Sequence, residues 1–321
     1  MTYKETLHID FPCLISSHKN YLYGCAMFLV LLYHLYCVNT LRVMNLFRFG
    51  FIGVDIFLLL GGMTLGFSLE KRNLREFYKR RIKRILPLYL LFTTIKTILY
   101  CITGRGIFSF TDIIYSISGL SFFGIGGILM EWYLFSLFLL YLAYPFLYYL
   151  TKRIGFLSPV IAFAFVLLLY LFNKTSNNEW LHLQWYHNAF ISRIPIFILG
   201  IYLYIRRNKG FQVFDILIIA ISTFVFTSIF NANLFFIISC LSLLLVLLLY
   251  AIKKYNPLTN FLDFIGKYTL EIYVGNCFCQ LLLCDYFTIS NQYFLILIYI
   301  VINFIFSFMV IQLNKLISKL I

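Results

Sequence analysis

Hydrophobic residues are grouped along the chain into long blocks that are apolar on every face, and polar residues are concentrated between them. The blocks are long enough to cross about 30 Å of hydrocarbon as α-helices. They lack the alternation of a membrane β-strand, and an open sheet cannot satisfy its backbone groups in lipid. The pattern therefore predicts an all-α, polytopic membrane bundle with about ten transmembrane helices, at residues 20–38, 47–69, 84–103, 129–151, 157–173, 189–205, 212–230, 233–251, 268–286 and 292–314.

Composition supports a membrane protein rather than a soluble one. Of the 321 residues, 62% are hydrophobic and only 12% are charged, which is too little charge for the surface of a soluble domain. No internal repeat marks a second domain, so residues 1–321 are predicted to form a single membrane domain. Residues 1–19 show no cleavable signal peptide and are predicted to be a cytoplasmic segment. The glycine-rich segment 104–128 fits an outer loop, an interfacial helix or a re-entrant segment.

The distribution of basic residues determines the predicted orientation. If the N-terminus is cytoplasmic, most of the 26 lysines and arginines fall in cytoplasmic segments, in agreement with the positive-inside rule. An even number of spans then returns the C-terminus to the cytoplasm as well. Flanking residues of this kind explain the net charge of +14, and they also suit anionic lipid headgroups. Membrane lipids are therefore predicted partners, and nucleic acid is not.

Ionisable side chains fall inside predicted spans, where each is costly and usually marks a functional pathway; among them are His34, Asp55, Lys96, Arg193 and Glu271. At about 1.5 Å per helical residue, His34, Asp55 and Lys96 share one layer in the outer half of the bilayer. Neutral His34 can accept a proton at about pH 7, and Asp55 is a candidate carboxylate to fix its tautomer. The alternative is structural, with His34 bridging helices and Asp55 paired with Lys96.

The segment 70–84 holds the densest cluster of charge and is predicted to be a basic cytoplasmic loop. Positive-inside topology alone explains part of this charge. Arg81 and Arg84, however, are three residues apart, so on a helix they point the same way and could clamp one phosphate group. Because residues 85–87 then enter the membrane, this second interpretation predicts a phosphorylated cytosolic ligand at the inner surface.

Several motifs occur in a characteristic order along nearly the whole chain. One contains Gly53-Val54-Asp55-Ile56-Phe57, and another reads Arg-Arg-Ile-Lys-Arg-Ile-Leu-Pro from Arg80. The motif that comes first along the chain ends at His34, and weaker matches follow downstream of residue 89. This order resembles the acyltransferase-3 family of bacterial membrane O-acyltransferases. The matching segments are 23–34, 53–62, 80–89, 132–145, 193–200 and 266–273.

The resemblance implies acyl transfer, usually of acetyl, from cytosolic acyl-CoA to a hydroxyl of a cell-envelope carbohydrate. It implies a multi-pass protein of a bacterial inner membrane that uses no metal. His34 would be the catalytic residue, either as general base or as transient acyl carrier, and Asp55 is inferred to orient it. The CoA phosphates would meet a basic set formed by Arg80, Arg81, Lys83 and Arg84.

Further residues are expected around the pocket, and some positions depart from the family pattern. Tyr23 stands in place of a usual Arg, and Leu137 in place of a Glu kept by one branch. Asn276 stands where a second His is common. Two other functions stay open, a transporter or flippase for a lipid-linked saccharide or polysaccharide, and a non-catalytic partner in a polysaccharide synthesis complex. The expected pocket residues are Lys96, Trp132, Arg193, Glu271, Tyr273 and Asn276.

Overall fold

The computed structural model describes residues 15, 17–104, 109–125, 131–175, 185–207, 234–255, 257–287 and 289–320, and every regular element in them is helical. The all-α class is therefore confirmed for these residues. The number of ten spans and the orientation of the termini stay predictions, and the span at 212–230 lies outside the described residues. Five described stretches are long and apolar enough to cross a membrane: Lys19–Val38, Arg42–Glu70, Leu74–Thr103, Trp132–Ile154 and Gln292–Ile317.

The chain divides into two compact units. In chain order the described α-helices are α1 (Lys19–Val38), α2 (Ile52–Glu70), α3 (Leu74–Thr103), α4 (Phe110–Ser118), α5 (Trp132–Ile154), α6 (Leu157–Thr175), α7 (Trp185–Ile191), α8 (Ile194–Ile205), α9 (Leu234–Ile252), α10 (Thr259–Lys267), α11 (Thr269–Asp285) and α12 (Gln292–Leu320). The first unit holds α2, α6–α10, α1 up to Tyr33 and α5 from Tyr144. The second holds α3, α4, α11, α12 and the remaining parts of α1 and α5.

Glycines allow two helices of the first unit to approach closely. A Cβ atom on Gly62 of α2 would lie 2.3 Å from the carbonyl oxygen of Phe197 in α8. A Cβ atom on Gly200 of α8 would lie 2.2 Å from the carbonyl oxygen of Leu59 in α2. Both distances are too short for any larger residue, and such small-residue crossings are common between membrane helices. The crossing fixes α2 and α8 relative to each other.

The span predicted at 189–205 is divided between α7 and α8, which corrects the expectation of one continuous helix. Pro195 lies in the first turn of α8. Proline lacks a backbone N–H and disfavours helical backbone at the residue before it, so a helix tends to start rather than continue there. The break leaves Arg193 between the two helices, where its Nη1 donates to the Ala189 carbonyl at 2.7 Å.

The basic segment 70–84, predicted as a loop, is helical from Leu74 onward. Asn73 caps the helix, because its side-chain oxygen accepts a hydrogen bond from the Glu76 backbone N–H at 2.8 Å. Lysine, arginine and glutamate are good helix formers, so the charges extend the predicted span instead of interrupting it. The result is a single helix of 30 residues, α3, that carries both the basic set and Lys96.

In the second unit α11 packs against α12. Gly275 allows this contact, since a Cβ atom there would lie 2.6 Å from the backbone nitrogen of Ser307. Apolar side chains from α1, α11 and α12 surround the same interface, among them Leu35, Leu283 and Leu295. The packing fixes the orientation of α11 and of the polar side chains that it carries.

The segment 104–128 contains α4 and a short 3-10 helix, Leu120–Phe123, among its described residues. Gly119 joins the two with a φ of 81°, which favours glycine. The ring of Phe135 also occupies the space beside it, 2.3 Å from where a Cβ atom would be. α4 packs against α3. The depth of this segment in a membrane stays a prediction.

Candidate active site

His34 and Asn276 meet within the second unit. Nδ1 of the imidazole is hydrogen-bonded to the side-chain oxygen of Asn276, a residue with 0% exposure. The side-chain nitrogen of Asn276 donates to the Tyr299 hydroxyl at 2.7 Å. These two bonds fix the orientation of the amide, because its oxygen and its nitrogen have different partners.

This arrangement determines which nitrogen of the imidazole is basic. The amide oxygen of Asn276 can only accept a hydrogen bond, so Nδ1 of His34 carries the hydrogen. In the neutral ring the lone pair then belongs to Nε2. The His34 side chain is half-buried, so it combines a fixed orientation with partial accessibility. A histidine held in this way is suited to take a proton from an approaching hydroxyl.

A second polar group is formed around Glu131, the residue just before α5. The Tyr273 hydroxyl donates to the Glu131 carboxylate at 2.6 Å, and the Cys277 thiol is a further donor. The Lys96 ammonium interacts electrostatically with the same carboxylate and lies 5.4 Å from the centre of the Tyr100 ring. The two charges compensate each other among apolar helices.

The two groups adjoin on one face of α11. Tyr273 contacts Glu131, and Asn276 contacts His34; positions three and four apart are neighbours on a helix. One turn of α11 therefore connects a candidate base to a carboxylate, a phenol and an ammonium group. We call this set the polar site, defined as His34, Lys96, Glu131, Tyr273, Asn276 and Tyr299.

Asp55 forms an ion pair within the first unit. Its Oδ1 lies 3.1 Å from Nε of Arg193, and the side chains are 0% and 2% exposed, respectively. Asp55 stands in the first turn of α2, where the helix dipole also favours a carboxylate. The pair explains how two charges are tolerated inside predicted spans. A contact of Asp55 with His34 or Lys96, which belong to the second unit, stays a prediction.

The two arginines proposed to bind phosphate differ in their surroundings. Arg81 is half-buried, and its guanidinium lies 5.5 Å from the ring centre of Phe77 and 5.8 Å from that of Tyr141. Arg84, one turn further along α3, is exposed. Stacking on two rings orients the Arg81 guanidinium, while Arg84 extends into the surroundings. Their spacing on one helix agrees with the predicted common direction.

The other predicted site residues make contacts of their own. Glu271 accepts a hydrogen bond from the side-chain nitrogen of Asn314 at 2.7 Å, which joins α11 to α12. The ring of Trp132 lies 5.9 Å from that of its neighbour Tyr133. Near the start of α3, Arg80 and Lys83 are both exposed, and Arg80 pairs with Glu76 at 3.1 Å.

Two members of the polar site, Glu131 and Tyr299, are absent from the residues predicted for it. Glu131 lies inside the span predicted at 129–151, so its charge is a signal of the same kind as that of Lys96. Tyr299 is one of 25 tyrosines, and no motif distinguishes it. Only the packing of α12 on α11 brings its hydroxyl to Asn276.

These features define a helical membrane protein with a polar site built on its apolar helices. The chain belongs to the acyltransferase-3 family, because the family's acyltransferase domain model matches residues 20–312, nearly the whole chain. The resemblance inferred from the motifs is thereby confirmed. No curated protein and no solved structure matches the chain. Membership of this family and the apolar helices together support the conclusion that the protein is a membrane acyltransferase.

Proposed function

We propose that the protein is an integral membrane O-acyltransferase of a bacterial inner membrane. It would move an acyl group, with acetyl as the expected group, from cytosolic acyl-CoA to a hydroxyl of a cell-envelope carbohydrate. The observation that carries the proposal is the hydrogen bond between His34 and Asn276, because it presents Nε2 as the basic nitrogen. The donor and acceptor classes are supported by the family resemblance and by the basic start of α3.

The proposed reaction is a direct transfer with His34 as general base. Nε2 of His34 accepts the proton of the acceptor hydroxyl while the hydroxyl oxygen attacks the thioester carbonyl carbon. The Asn276 oxygen stabilises the resulting imidazolium through its bond to Nδ1. When the carbon–sulfur bond breaks, His34 returns the proton to the departing thiolate, so the products are an ester and CoA with a free thiol.

Reconstitution in liposomes tests the reaction directly. The probes are acetyl-CoA with a labelled acetyl group and envelope glycan from which esters have been removed by mild base. We expect label to appear on the glycan in a base-labile ester. Movement of a lipid-linked saccharide across the liposome without labelling would instead establish the transporter or flippase. Absence of both would leave the assembly role in polysaccharide synthesis as the explanation.

Reversal of charge at Arg84 should raise KM for acyl-CoA about tenfold or more, because one charge-assisted contact to phosphate contributes about 1.5–3 kcal/mol. KM for the glycan should change little, since the arginine does not contact the acceptor. Arg81→Lys should act in the same direction more weakly, because lysine keeps the charge and loses the planar fork. Initial rates at varied concentrations of each substrate give both constants.

The matched control for Arg84→Glu is Lys152→Glu, which changes an exposed basic residue in the last turn of α5. This change alters net charge equally and lies outside the basic set. Equal rises of KM for acyl-CoA in both variants would show a general electrostatic effect of net charge rather than a contact at Arg84. An unchanged KM in Arg84→Glu would remove this arginine from the donor site.

A further inference from the structure

An apolar cavity of about 450 Å³ lies between α3, α4 and α5 in the second unit. Its walls include Ile85 and Tyr89 of α3, Ile113 and Ile117 of α4, and Leu134 of α5. Tyr89 and Ser118 are the two lining residues that have polar side chains. Such a lining suits hydrocarbon, whereas the amides of a pantetheine arm would lose hydrogen bonds there.

Along α3 the lining of the cavity starts one residue after Arg84 and includes Tyr89, which interacts with Glu131 of the polar site. Ile85, at one end, directly follows Arg84 on α3. At the other end Tyr89 interacts electrostatically with Glu131, and Leu134 lies three residues after Glu131 on the chain. Glu131 is in turn bonded to Tyr273, one helical turn from Asn276. Through Tyr89, one end of the cavity is therefore close to Glu131 of the polar site.

We propose that this cavity receives the hydrocarbon chain of the donor, so that the protein transfers acyl groups longer than acetyl. The inference rests on the proposed acyl-CoA-dependent transfer at His34 and extends its donor range. The reacting carbonyl would lie at the polar site, and the hydrocarbon chain beyond it would enter the cavity from the Tyr89 end, while the CoA moiety stays outside the apolar lining. A two-carbon acyl group would leave the apolar volume unused.

The test is the chain-length profile of the reconstituted wild-type protein with acetyl-, butyryl- and hexanoyl-CoA. Each methylene that enters the cavity should raise kcat/KM by up to about fourfold.

Ile117→Trp fills the cavity from α4 and should lower the ratio of hexanoyl to acetyl kcat/KM about tenfold or more. Ile113→Phe provides a second, smaller filling variant. Phe110→Trp on the same helix is the control, because Phe110 is 75% exposed and is not part of the lining.

The outcomes separate the cavity from the reaction itself. Acyl transfer that falls with chain length in the wild-type protein would overturn the cavity proposal and leave the proposed function intact. The cavity proposal would also fail if Ile117→Trp lost a co-purified phospholipid without a change of chain-length profile, because a lipid tail would then be the occupant. Failure with all three donors would instead reject the proposed function, and the donor cavity with it.

Discussion

Replacement of His34 by alanine should lower kcat for acyl transfer by about 10²–10⁴-fold, the usual contribution of a positioned general base. Alanine removes the imidazole but leaves the bond between Asn276 and Tyr299, so the contact between α11 and α12 should remain. Label transfer from acyl-CoA to glycan measures the rate, and the melting temperature in detergent shows whether the variant is folded. A folded His34→Ala protein with more than about a tenth of wild-type kcat would rule out this base.

Variants of Asn276 distinguish an effect on the orientation of His34 from an effect on the packing around it. Asn276→Leu keeps similar volume and removes the acceptor oxygen, so kcat should fall about ten- to a hundredfold through the lost hydrogen bond. Asn276→Asp keeps an oxygen towards Nδ1 and should restore most of kcat with a displaced pH–rate profile. KM for both substrates should be nearly constant across the series. Equal kcat in the leucine and aspartate variants would show that the amide only fills space.

The sequence identifies His34 and Asn276 as site residues but not as partners. They are 242 residues apart, and the hydrogen bond exists only because α11 packs beside the end of α1. In the family pattern Asn276 replaces a histidine, which suggests a loss of acid–base function rather than a gain of an acceptor. Asp55 is predicted as the orienting carboxylate from its depth along the helix alone, and depth does not specify which face of a helix a residue occupies.

Two features of the fold that depth in the membrane does not predict, the start of α3 and the start of α8, have local signals in the sequence. Asn73 and Glu76 have the spacing of a capping box, which indicates the start of α3 inside the segment predicted as a loop. Pro195 also indicates a helix start, although a proline within an apolar span is tolerated often enough to leave a continuous helix plausible. The pairing of Arg193 with the oppositely charged Asp55, in contrast, depends on the crossing of α2 and α8, and no pattern in the sequence predicts it.

The ion pair between Asp55 and Arg193 should be one of the most sensitive points of the fold. Asp55→Leu leaves the Arg193 guanidinium buried with its counter-charge removed, and loss of one partner of a buried pair costs about 3–5 kcal/mol. We expect a markedly lower melting temperature in detergent and reduced yield of folded protein. Thermal unfolding of the purified variant, followed by the exposure of its buried cysteines to a thiol-reactive dye, measures the change.

The double variant Asp55→Leu/Arg193→Leu distinguishes a structural pair from a catalytic one. Replacing both charges by apolar side chains should recover most of the lost stability, although the hydrogen bond from Arg193 to the Ala189 carbonyl is not restored. If the pair only supports the fold, transfer activity should return together with stability. If Asp55 also orients His34, the double variant should be stable and still inactive. A single Asp55→Leu variant that melts like wild type would show that the pair contributes little to stability.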